Sequence, residues 1–492
     1  MRSGIAAVVD RLGAGLRRYG HDVDVVTSAD VGRRHLGEWR LTGLVRHWPA
    51  LRRRLSDYDV VHLHGPAPTF SDAFLALWRT VPAQQRPGLV YTHHSDIALD
   101  RLMPLCDAYN RMHRRLSRAA SHVVVSTESY RTIAGGRQAH GVEVIPFAGD
   151  GGAAVAERRP GRMVVVFLGQ LRPYKGADVL VRAAAQLPDL VVHIAGGGHQ
   201  EARLRTLAAG LGADNVRFHG VVSDAERTAL LGAADVIALP SRTRAEAFGL
   251  VLLEGMRAGA VPVASDLPGV RDVAGPTGLL VQPGSVRSLV QALCHLRDDP
   301  ADRRRRSLAS VATAAEYTWD TTVRAYHRVL SDAALAGRLR SAPSWHVDGA
   351  LALMREAALA ERASLLLLDR KRERLRVVSV SGRPLPEGAH HAGADLDSFA
   401  GRALLAGEPY VVSTETEVLG RRYQPDAHAG LCVPFDLRGE MQGVVSFTRH
   451  RALDFLPQEV SWMQRRVGHV AERVLETAQD AARVEDAGEA IA

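Results

Sequence analysis

Short apolar runs, each followed by a helix-length segment, constrain the fold of this chain most. The first 155 residues contain five such runs: VDVVTS, VVHLHG, LVYTHH, HVVVST and VEVIPF. Similar runs recur between residues 156 and 330. Strands that are apolar throughout are typical of parallel sheets whose two faces are covered by helices. The alternation therefore predicts two successive doubly wound α/β domains.

Composition agrees with this interpretation. A chain of 492 residues is long enough for two to four domains, and 46% hydrophobic with 24% charged residues is normal for a soluble protein. The three cysteines are scattered, which fits a reducing compartment and argues against a disulfide framework. No apolar run approaches the length of a membrane span, and the N-terminus lacks the apolar core of a signal peptide. We therefore expect a cytoplasmic protein.

The segment PSRTRAEAFGLVLLEGMRAG, residues 240–259, holds two glutamates eight positions apart. Glu246 precedes a helix that is expected to start near Gly249 and to stop at Gly259, and Glu254 lies about a turn and a half inside it. A helix start attracts phosphate because its backbone N–H groups are unpaired and carry partial positive charge. One carboxylate can reach sugar hydroxyls, and the other can accept both hydroxyls of a ribose. The segment indicates a nucleotide-sugar site; an ordinary amphipathic helix with two solvated acids is the alternative.

A lysine marks the turn in MVVVFLGQLRPYKG, residues 163–176, where a buried strand, a glycine-containing turn and a helix are expected. Of the 62 basic residues only Lys175 and Lys371 are lysines. A chain that otherwise uses arginine can need the compact charge of a lysine beside a phosphate. Lys175 is therefore predicted to contact the anionic ligand; codon bias combined with chance is the alternative.

Both segments, with several others in the same order, resemble the retaining family 4 glycosyltransferases of the GT-B type. The matching stretches span about residues 3–330 and include DVVHLHG, LVYTHHSDIALDRL, FLGQLRPYKGADVLVRAAA and EAFGLVLLEGMRAGAVPVASDLPGV. The resemblance implies an acceptor-side Rossmann-like domain over residues 1–155 and a nucleotide-sugar-binding one over residues 156–330. A glycine-containing linker is expected near Gly149–Gly161, and the helix in EYTWDTTVRAYHRVL (316–330) is expected to return towards the first domain.

The resemblance also implies a reaction and the residues that carry it. A hexose passes from a nucleoside diphosphate to an acceptor hydroxyl with retained anomeric configuration, and no cofactor or metal is required. The imidazole of His94 follows the carboxyl end of a predicted strand and is expected to face the donor sugar. His94 and Glu246 are the expected catalytic residues. The expected donor-binding residues are Gly4, Gln170, Arg172, Lys175, Phe248, Gly249, Leu250 and Glu254.

The chain departs from the family pattern in two places. Gln170 stands where the family usually has an arginine that grips the diphosphate, and Arg172 is the expected substitute. Met1 falls at the end of the glycine-rich loop, so the first central strand is expected to be missing and the true start to lie upstream. A degenerate transferase fold that binds a nucleotide sugar as a sensor is the alternative function.

Positive charge is concentrated in the first domain, where residues 1–150 hold 20 arginines against 14 acidic residues. Residues 31–54 contribute seven of those arginines together with Trp39 and Trp48. Arginine with tryptophan on an amphipathic segment is typical of docking on anionic membranes, which predicts a peripheral position on the inner membrane face and a lipid-linked acceptor. A solvated arginine-rich helix is the alternative. Polysaccharide and metabolite hydroxyls are further acceptor classes, and nucleic acid is not an expected partner because no groove-reading or stacking motif accompanies the basic stretch.

The pattern changes after a mixed linker at residues 331–344. Residues 345–480 contain SLLLLDRKRERLRVVSVSG and LCVPFDLRGEMQGVVSFTRH, in which strands are joined by turns, with helices at both ends. This order resembles a GAF sensory domain, an α+β fold. The resemblance implies that a small ligand or dimerisation controls the transferase. Residues 481–492 are expected to form a frayed tail.

Overall fold

The computed structural model describes residues 4–36, 39–98, 103–135, 142–149, 161–341, 347–369, 373–385, 394–395, 398–413, 427–437, 441–468 and 471. Most of the predicted linker near Gly149–Gly161 and the whole predicted tail lie outside these residues. The chain divides into two compact units. One comprises Met1–Pro82 and Leu89–Tyr326, and the other comprises Ala83–Gly88 and His327–Ala492.

The first domain, residues 4–149, is built on one sheet. Its elements are α1 (Gly4–Arg18), β1 (Arg33–Leu36), β2 (Trp39–Thr42), α2 (Leu44–Arg54), β3 (Val60–Gly65), α3 (Ser71–Trp78), β4 (Gly88–His93), α4 (Met103–Ser117), β5 (His122–Val125), α5 (Glu128–Gly135) and β6 (Val142–Val144). The sheet order is β3-β4-β5-β6, with β4, β5 and β6 parallel, and β1 pairs with β2 as a separate antiparallel hairpin. Strand β4 is buried along its whole length, as expected for the interior of a parallel sheet.

The predicted strand VDVVTS is absent from the described sheet. Residues 21–27 form neither helix nor strand, and the side chains of Val25 and Val26 are exposed. Apolar alternation produces a strand only where a neighbouring strand supplies hydrogen-bond partners. The described residues supply no such neighbour, and that strand prediction is therefore wrong for this structure.

The interpretation of Trp48 as a membrane anchor is also wrong. Trp48, on α2, is buried in the core of the first domain, where its ring meets the ring of Phe74 edge-on at 5.6 Å between centroids. The apolar face of α2 thus packs in the core of the domain, and its exposed face carries Arg46, Arg52 and Arg53. Among the described residues no helix combines the length and apolar character needed to cross a membrane.

The second domain, residues 161–316, has a six-stranded parallel sheet. Its elements are β7 (Val164–Leu168), α6 (Ala177–Ala184), β8 (Val191–Ala195), α7 (Glu201–Gly210), β9 (Val216–Gly220), α8 (Asp224–Ala233), β10 (Val236–Leu239), α9 (Leu250–Arg257), β11 (Val261–Ser265), α10 (Val270–Ala274), β12 (Leu279–Val281), α11 (Val286–Asp298) and α12 (Pro300–Glu316). The strand order is β12-β11-β10-β7-β8-β9, and every neighbouring pair is parallel. Chain order reverses between β7 and β10, so this is the switch point at which open α/β sheets bind ligands.

Helix α13 (Trp319–Ser341) follows the second domain and packs on the first. Thr322 Oγ1 donates to the carbonyl of Pro146 at 2.9 Å, and the hydroxyls of Tyr326 and Thr92 lie 3.1 Å apart. These contacts bring the N-terminal part of α13 to the first domain. The predicted linker is wrong over residues 331–341, which are helical. This stretch is rich in alanine, leucine and arginine, which favour helix, and Leu335 is buried in the core of the other unit.

That other unit contains an antiparallel sheet and is called the antiparallel unit below. Its elements are α14 (Val347–Ala357), β13 (Arg362–Asp369), β14 (Arg374–Gly382), β15 (Ala394–Asp395), α15 (Phe399–Ala406), β16 (Tyr410–Ser413), β17 (Ala429–Leu437), β18 (Met441–Arg449) and a helical segment at residues 457–468. The sheet order is β15-β14-β13-β18-β17-β16. Apolar side chains of α14, of the sheet and of residues 457–468 form one core.

Candidate active site

The loops that follow β7 and β10 bring Lys175 and Glu246 together. Lys175 ends a short 3-10 turn (Pro173–Lys175) after β7, and Glu246 lies in the loop between β10 and α9. Lys175 Nζ donates to Glu246 Oε2 at 2.5 Å, and both side chains are largely buried. Two residues 71 positions apart in the chain therefore form one ion pair at the switch point of the sheet.

The electrostatics of this pair favour a charged lysine. Burial by itself would lower the pKa of Lys175, but the adjacent Glu246 carboxylate outweighs it and the pKa is raised above its usual value. The ammonium is therefore fully protonated at neutral pH. Such a cation can bind an anionic ligand, which either replaces the Glu246 carboxylate as its partner or binds beside it.

Helix α9 begins where the sequence predicts. Gly249 caps it with φ of 77°, a left-handed conformation that favours glycine, and an added Cβ would lie 2.9 Å from Leu239 Cδ2. Its first residue, Leu250, lies beside the start of α1: a Cβ on Gly4 would be 3.7 Å from Leu250 Cδ1. Two helix N-termini thus begin close together, and the partial positive charge of a helix start favours a negatively charged group beside them.

Glu254 lies in the second turn of α9 and is almost fully buried. Its carboxylate forms an ion pair with Arg227, which is on α8. Gly149, at the end of the first domain, approaches it closely, since a Cβ there would be 3.4 Å from Glu254 Cγ. Both glutamates of the motif are thus paired with a cation from the second domain.

Gln170 and Arg172 interact directly. Arg172 Nε donates to Gln170 Oε1 at 3.0 Å, and both side chains are half-buried in the loop that leads to Lys175. The amide therefore orients the guanidinium. The charge of Arg172 also opposes protonation of Lys175, as expected for two cations near one another.

His94 follows β4 directly, as predicted, and is held by several contacts. Its backbone N–H donates to the carbonyl of Gly65 at 2.8 Å. Its Nε2 lies 2.8 Å from His64 Nδ1, and its ring stacks on the ring of Phe147 at 5.4 Å between centroids. Phe147 in turn meets Phe248 edge-on at 5.4 Å, so an aromatic contact joins the two domains beside His94.

The imidazoles of His62, His64 and His94 are neutral. Burial lowers the pKa of His62 and of His94 well below the usual value, with smaller contributions from neighbouring histidines, and lowers that of His64 to about 4. His62 does not contact His94; its Nε2 lies 2.8 Å from Thr92 Oγ1. Since Nε2 of His94 faces His64, Nδ1 is the ring nitrogen left for a substrate.

Two residues of the site, His64 and Arg227, were not predicted from the sequence. The HLHG sequence at the end of β3 offered a signal for His64, because the ends of neighbouring strands in an α/β sheet meet at one edge. Arg227 is one of 60 arginines and has no local signal. Within the described ranges, no three or more histidine, cysteine, aspartate and glutamate side chains converge in a way that could hold a metal ion.

Comparisons with known proteins agree on the first two domains. Residues 2–148 match the family described as Glycosyltransferase Family 4, and residues 154–311 match Glycosyl transferases group 1. D-rhamnosyltransferase WbpZ of Pseudomonas aeruginosa is 31% identical over 263 residues, which cover 51% of this chain and 67% of that protein. Phosphatidyl-myo-inositol mannosyltransferase of Mycolicibacterium smegmatis is 30% identical over 353 residues, 65% of this chain and 87% of that protein.

Solved structures share the fold. The Anabaena protein Alr3699/HepE in complex with UDP and glucose superposes with a TM-score of 0.53 at 21% identity, over 67% of this chain and 96% of that one. A glycosyltransferase from Rickettsia africae superposes with a TM-score of 0.53 at 14% identity, over 67% of this chain and 95% of that one. The predicted GT-B fold, with two Rossmann-like parallel sheets, is confirmed. The chain belongs to the group 1, family 4 glycosyltransferases.

Proposed function

We propose that the protein transfers a hexose from a nucleoside diphosphate to an acceptor hydroxyl, with retained configuration and without a metal. The observation that carries this proposal is the Lys175–Glu246 pair at the switch point of the second sheet. A buried cation and a buried carboxylate 2.5 Å apart match the two ends of the bond that breaks, a diphosphate and a sugar.

The negative charge that develops on the departing diphosphate is stabilised mainly by groups of the second domain and also by the start of α1 in the first domain. Lys175, the N–H groups of Phe248, Gly249 and Leu250, and the start of α1 at Gly4 stabilise it. Preorganised donors of this kind supply most of the catalysis in a transfer where charge moves and little covalent chemistry is done by the protein. Glu246 binds donor sugar hydroxyls, and Glu254 binds the ribose once Arg227 has moved aside.

His94 acts from the first domain. Nδ1 of its neutral imidazole accepts a hydrogen bond from a hydroxyl of the donor sugar, or it relays the proton that the acceptor hydroxyl loses. Its position beyond the carboxyl end of β4, with Phe147 and Phe248 between it and α9, supports this role.

The relatives bear on the substrates. Their names describe rhamnosyl and mannosyl transfer, and one acts on phosphatidyl-myo-inositol. We infer a hexose donor and an acceptor that is a glycolipid, a polysaccharide or a metabolite. The exposed arginines of α2 support peripheral docking on an anionic inner membrane face, and co-sedimentation with anionic liposomes at low salt tests it.

We also infer that the antiparallel unit is a GAF-like sensory module that controls the transferase. Its antiparallel sheet, with α14 before it and residues 457–468 after it, supports this inference. If a small ligand controls the transferase, a small molecule raises the melting temperature of the full chain and changes its rate of transfer. If dimerisation controls it, the molecular mass and the specific activity both rise with protein concentration. The inference fails if no compound of a metabolite library changes the melting temperature or the rate, and if the molecular mass stays constant as the protein concentration rises.

The decisive experiment screens UDP-, GDP- and ADP-sugars for release of the nucleoside diphosphate, with membrane extract as the acceptor source. Glu254→Ala is compared with wild type, and Glu201→Ala, which removes a half-buried carboxylate of α7 that pairs with Arg205, is the matched control. Release from one donor that is lost only in Glu254→Ala establishes the transferase. Saturable donor binding without turnover supports the alternative, a sensor that binds a nucleotide sugar through a degenerate transferase fold.

A further inference from the structure

Arg244 extends from the second domain to the first. It lies in the loop between β10 and α9, two positions before Glu246. Its Nη2 donates to Asp107 Oδ1 on α4 at 2.5 Å, and its Nε lies 3.3 Å from Asp96 Oδ2. One side chain of the second domain thus forms ion pairs with two carboxylates of the first.

Asp96 is a rigid partner for this arginine. It lies two positions after His94 in the loop that follows β4, and its side chain is fully buried. His93 Nε2 lies 3.2 Å from one carboxylate oxygen, and Arg114 Nη1 donates to the same oxygen at 3.0 Å. Burial alone would raise the pKa of Asp96, but the contacts with His93, Arg114 and Arg244 outweigh it and lower the pKa, so the carboxylate stays charged.

The backbone of the same loop is held as firmly as the side chain. The carbonyl of Arg244 accepts a hydrogen bond from the Tyr130 hydroxyl of α5 at 2.5 Å, and the Tyr130 side chain is buried. On the other side, Gly269 has φ of 87°, and a Cβ there would lie 1.9 Å from the carbonyl oxygen of Ala247. Residues 244–247 are therefore held at one end by Tyr130 and packed closely against Gly269 at the other.

We propose that Arg244 is a positioning residue that sets the distance between Glu246 and His94 across the cleft between the two domains. The inference rests on the proposed transferase function. Arg244 and Glu246 share one loop, and Asp96 and His94 share the other, so the ion pair fixes one loop against the other. The donor sugar bound by Glu246 then meets the imidazole of His94 in a defined geometry.

The test replaces Arg244 by glutamine in the full chain. This variant folds because Asp96 keeps His93 and Arg114 as partners. The rate constant kcat falls on the order of 10- to 100-fold, since a misplacement of about 1 Å costs that much. The Kd of the nucleoside diphosphate changes by less than about twofold, because Arg244 is not among the residues proposed to bind it.

Two further variants separate positioning from general damage. Arg242→Gln is the matched control, because Arg242 pairs with Asp178 inside the second domain, and it leaves kcat unchanged. Arg244→Lys retains the charge and restores part of the rate. Asp107→Asn lowers kcat less than Arg244→Gln does, and the two changes together cost less than the sum of their separate effects because they remove the same ion pair.

A second readout does not need turnover. Amide hydrogen exchange of residues 94–98 and 243–249 rises in Arg244→Gln, while it stays at the wild-type rate in Arg242→Gln. Equal kcat in wild type and Arg244→Gln, or unchanged exchange in both loops, overturns the proposal. If wild type transfers no sugar, the proposed function fails, and the exchange measurement still decides whether Arg244 holds the two loops together.

Discussion

The two α/β domains present opposite electrostatic environments to the cleft between them. In the second domain the site residues are charged and paired: Lys175 with Glu246, and Arg227 with Glu254. In the first domain they are neutral imidazoles, with His64 and His94 in contact and their pKa values lowered by burial. A diphosphate needs fixed cations, whereas a sugar or an acceptor hydroxyl needs a hydrogen-bonding group that does not compete for those cations.

The difference also determines what a ligand must displace. Each charged pair costs desolvation, and each partner holds the other in place while the site is without donor. The imidazoles hold one another through a single hydrogen bond and a stack, at little electrostatic cost. Binding therefore reorganises the second domain more than the first, and the following predictions test that asymmetry.

The largest effect is expected at Lys175. Lys175→Ala removes the cation that is proposed to stabilise the departing diphosphate, so kcat is expected to fall about 10²–10³-fold, or about 2.7–4 kcal/mol. Steady-state kinetics with the donor identified in the screen measure this change. Lys175→Arg keeps the charge on a larger, planar group and recovers only part of the rate. A kcat within a factor of about two of wild type in Lys175→Ala contradicts the assignment.

The next effect is expected at the imidazole pair. His64→Gln removes the ring that faces His94 Nε2, and kcat falls by about 10²-fold because His94 loses its orientation. His62→Gln is the control on the same strand: the Nε2 of His62 lies near Thr92, and its ring packs on His64 rather than on His94. Comparable losses of kcat in both variants would mean that the histidines matter for packing alone.

A smaller effect is expected where the chain departs from its family. Arg172→Gln weakens binding of the nucleoside diphosphate by about 1.5–3 kcal/mol if this guanidinium replaces the arginine that Gln170 lacks. Gln170→Arg adds a second cation and tightens binding. Isothermal titration measures both, with Arg182→Gln, an exposed arginine of α6, as the control. An unchanged Kd in Arg172→Gln would mean that Lys175 and the starts of α1 and α9 bind the diphosphate without help from Arg172.

The smallest effect concerns stability and pH. Burial lowers the pKa of His113 from 6.5 to about 4, so as the pH falls through this range the unfolded state binds a proton that the native state does not. Stability is therefore lost between pH 6.5 and about 4, by about 1.4 kcal/mol per pH unit for each such histidine. His113→Gln should reduce the slope by that amount in urea unfolding at several pH values.

Local pattern was sufficient for much of the site. The strand, turn and helix around Lys175, and the helix that starts after Gly249, lie where the sequence predicts them. These elements depend on contacts between near neighbours: apolar periodicity, a glycine in the left-handed conformation at a helix start, and a helix end at Gly259. The position of His94 after β4 follows from the same kind of signal.

Long-range partners decided the rest. Residues 21–27 have the alternation of a strand but no described neighbour to pair with, and Trp48 carries a membrane-surface signature but lies in a core. Helix α13 continues through the predicted linker because Leu335 is buried in the core of the antiparallel unit.

The sequence by itself determined the fold class, through the order of its apolar runs, and its resemblance to a known family indicated the family and the candidate site residues. Only the tertiary structure decided which charges are paired. Arg227 meets Glu254 over 27 positions, and Arg244 meets Asp107 over 137, in a chain with 60 arginines. No local rule selects one arginine among so many, since an ion pair depends on the distance between two side chains in space.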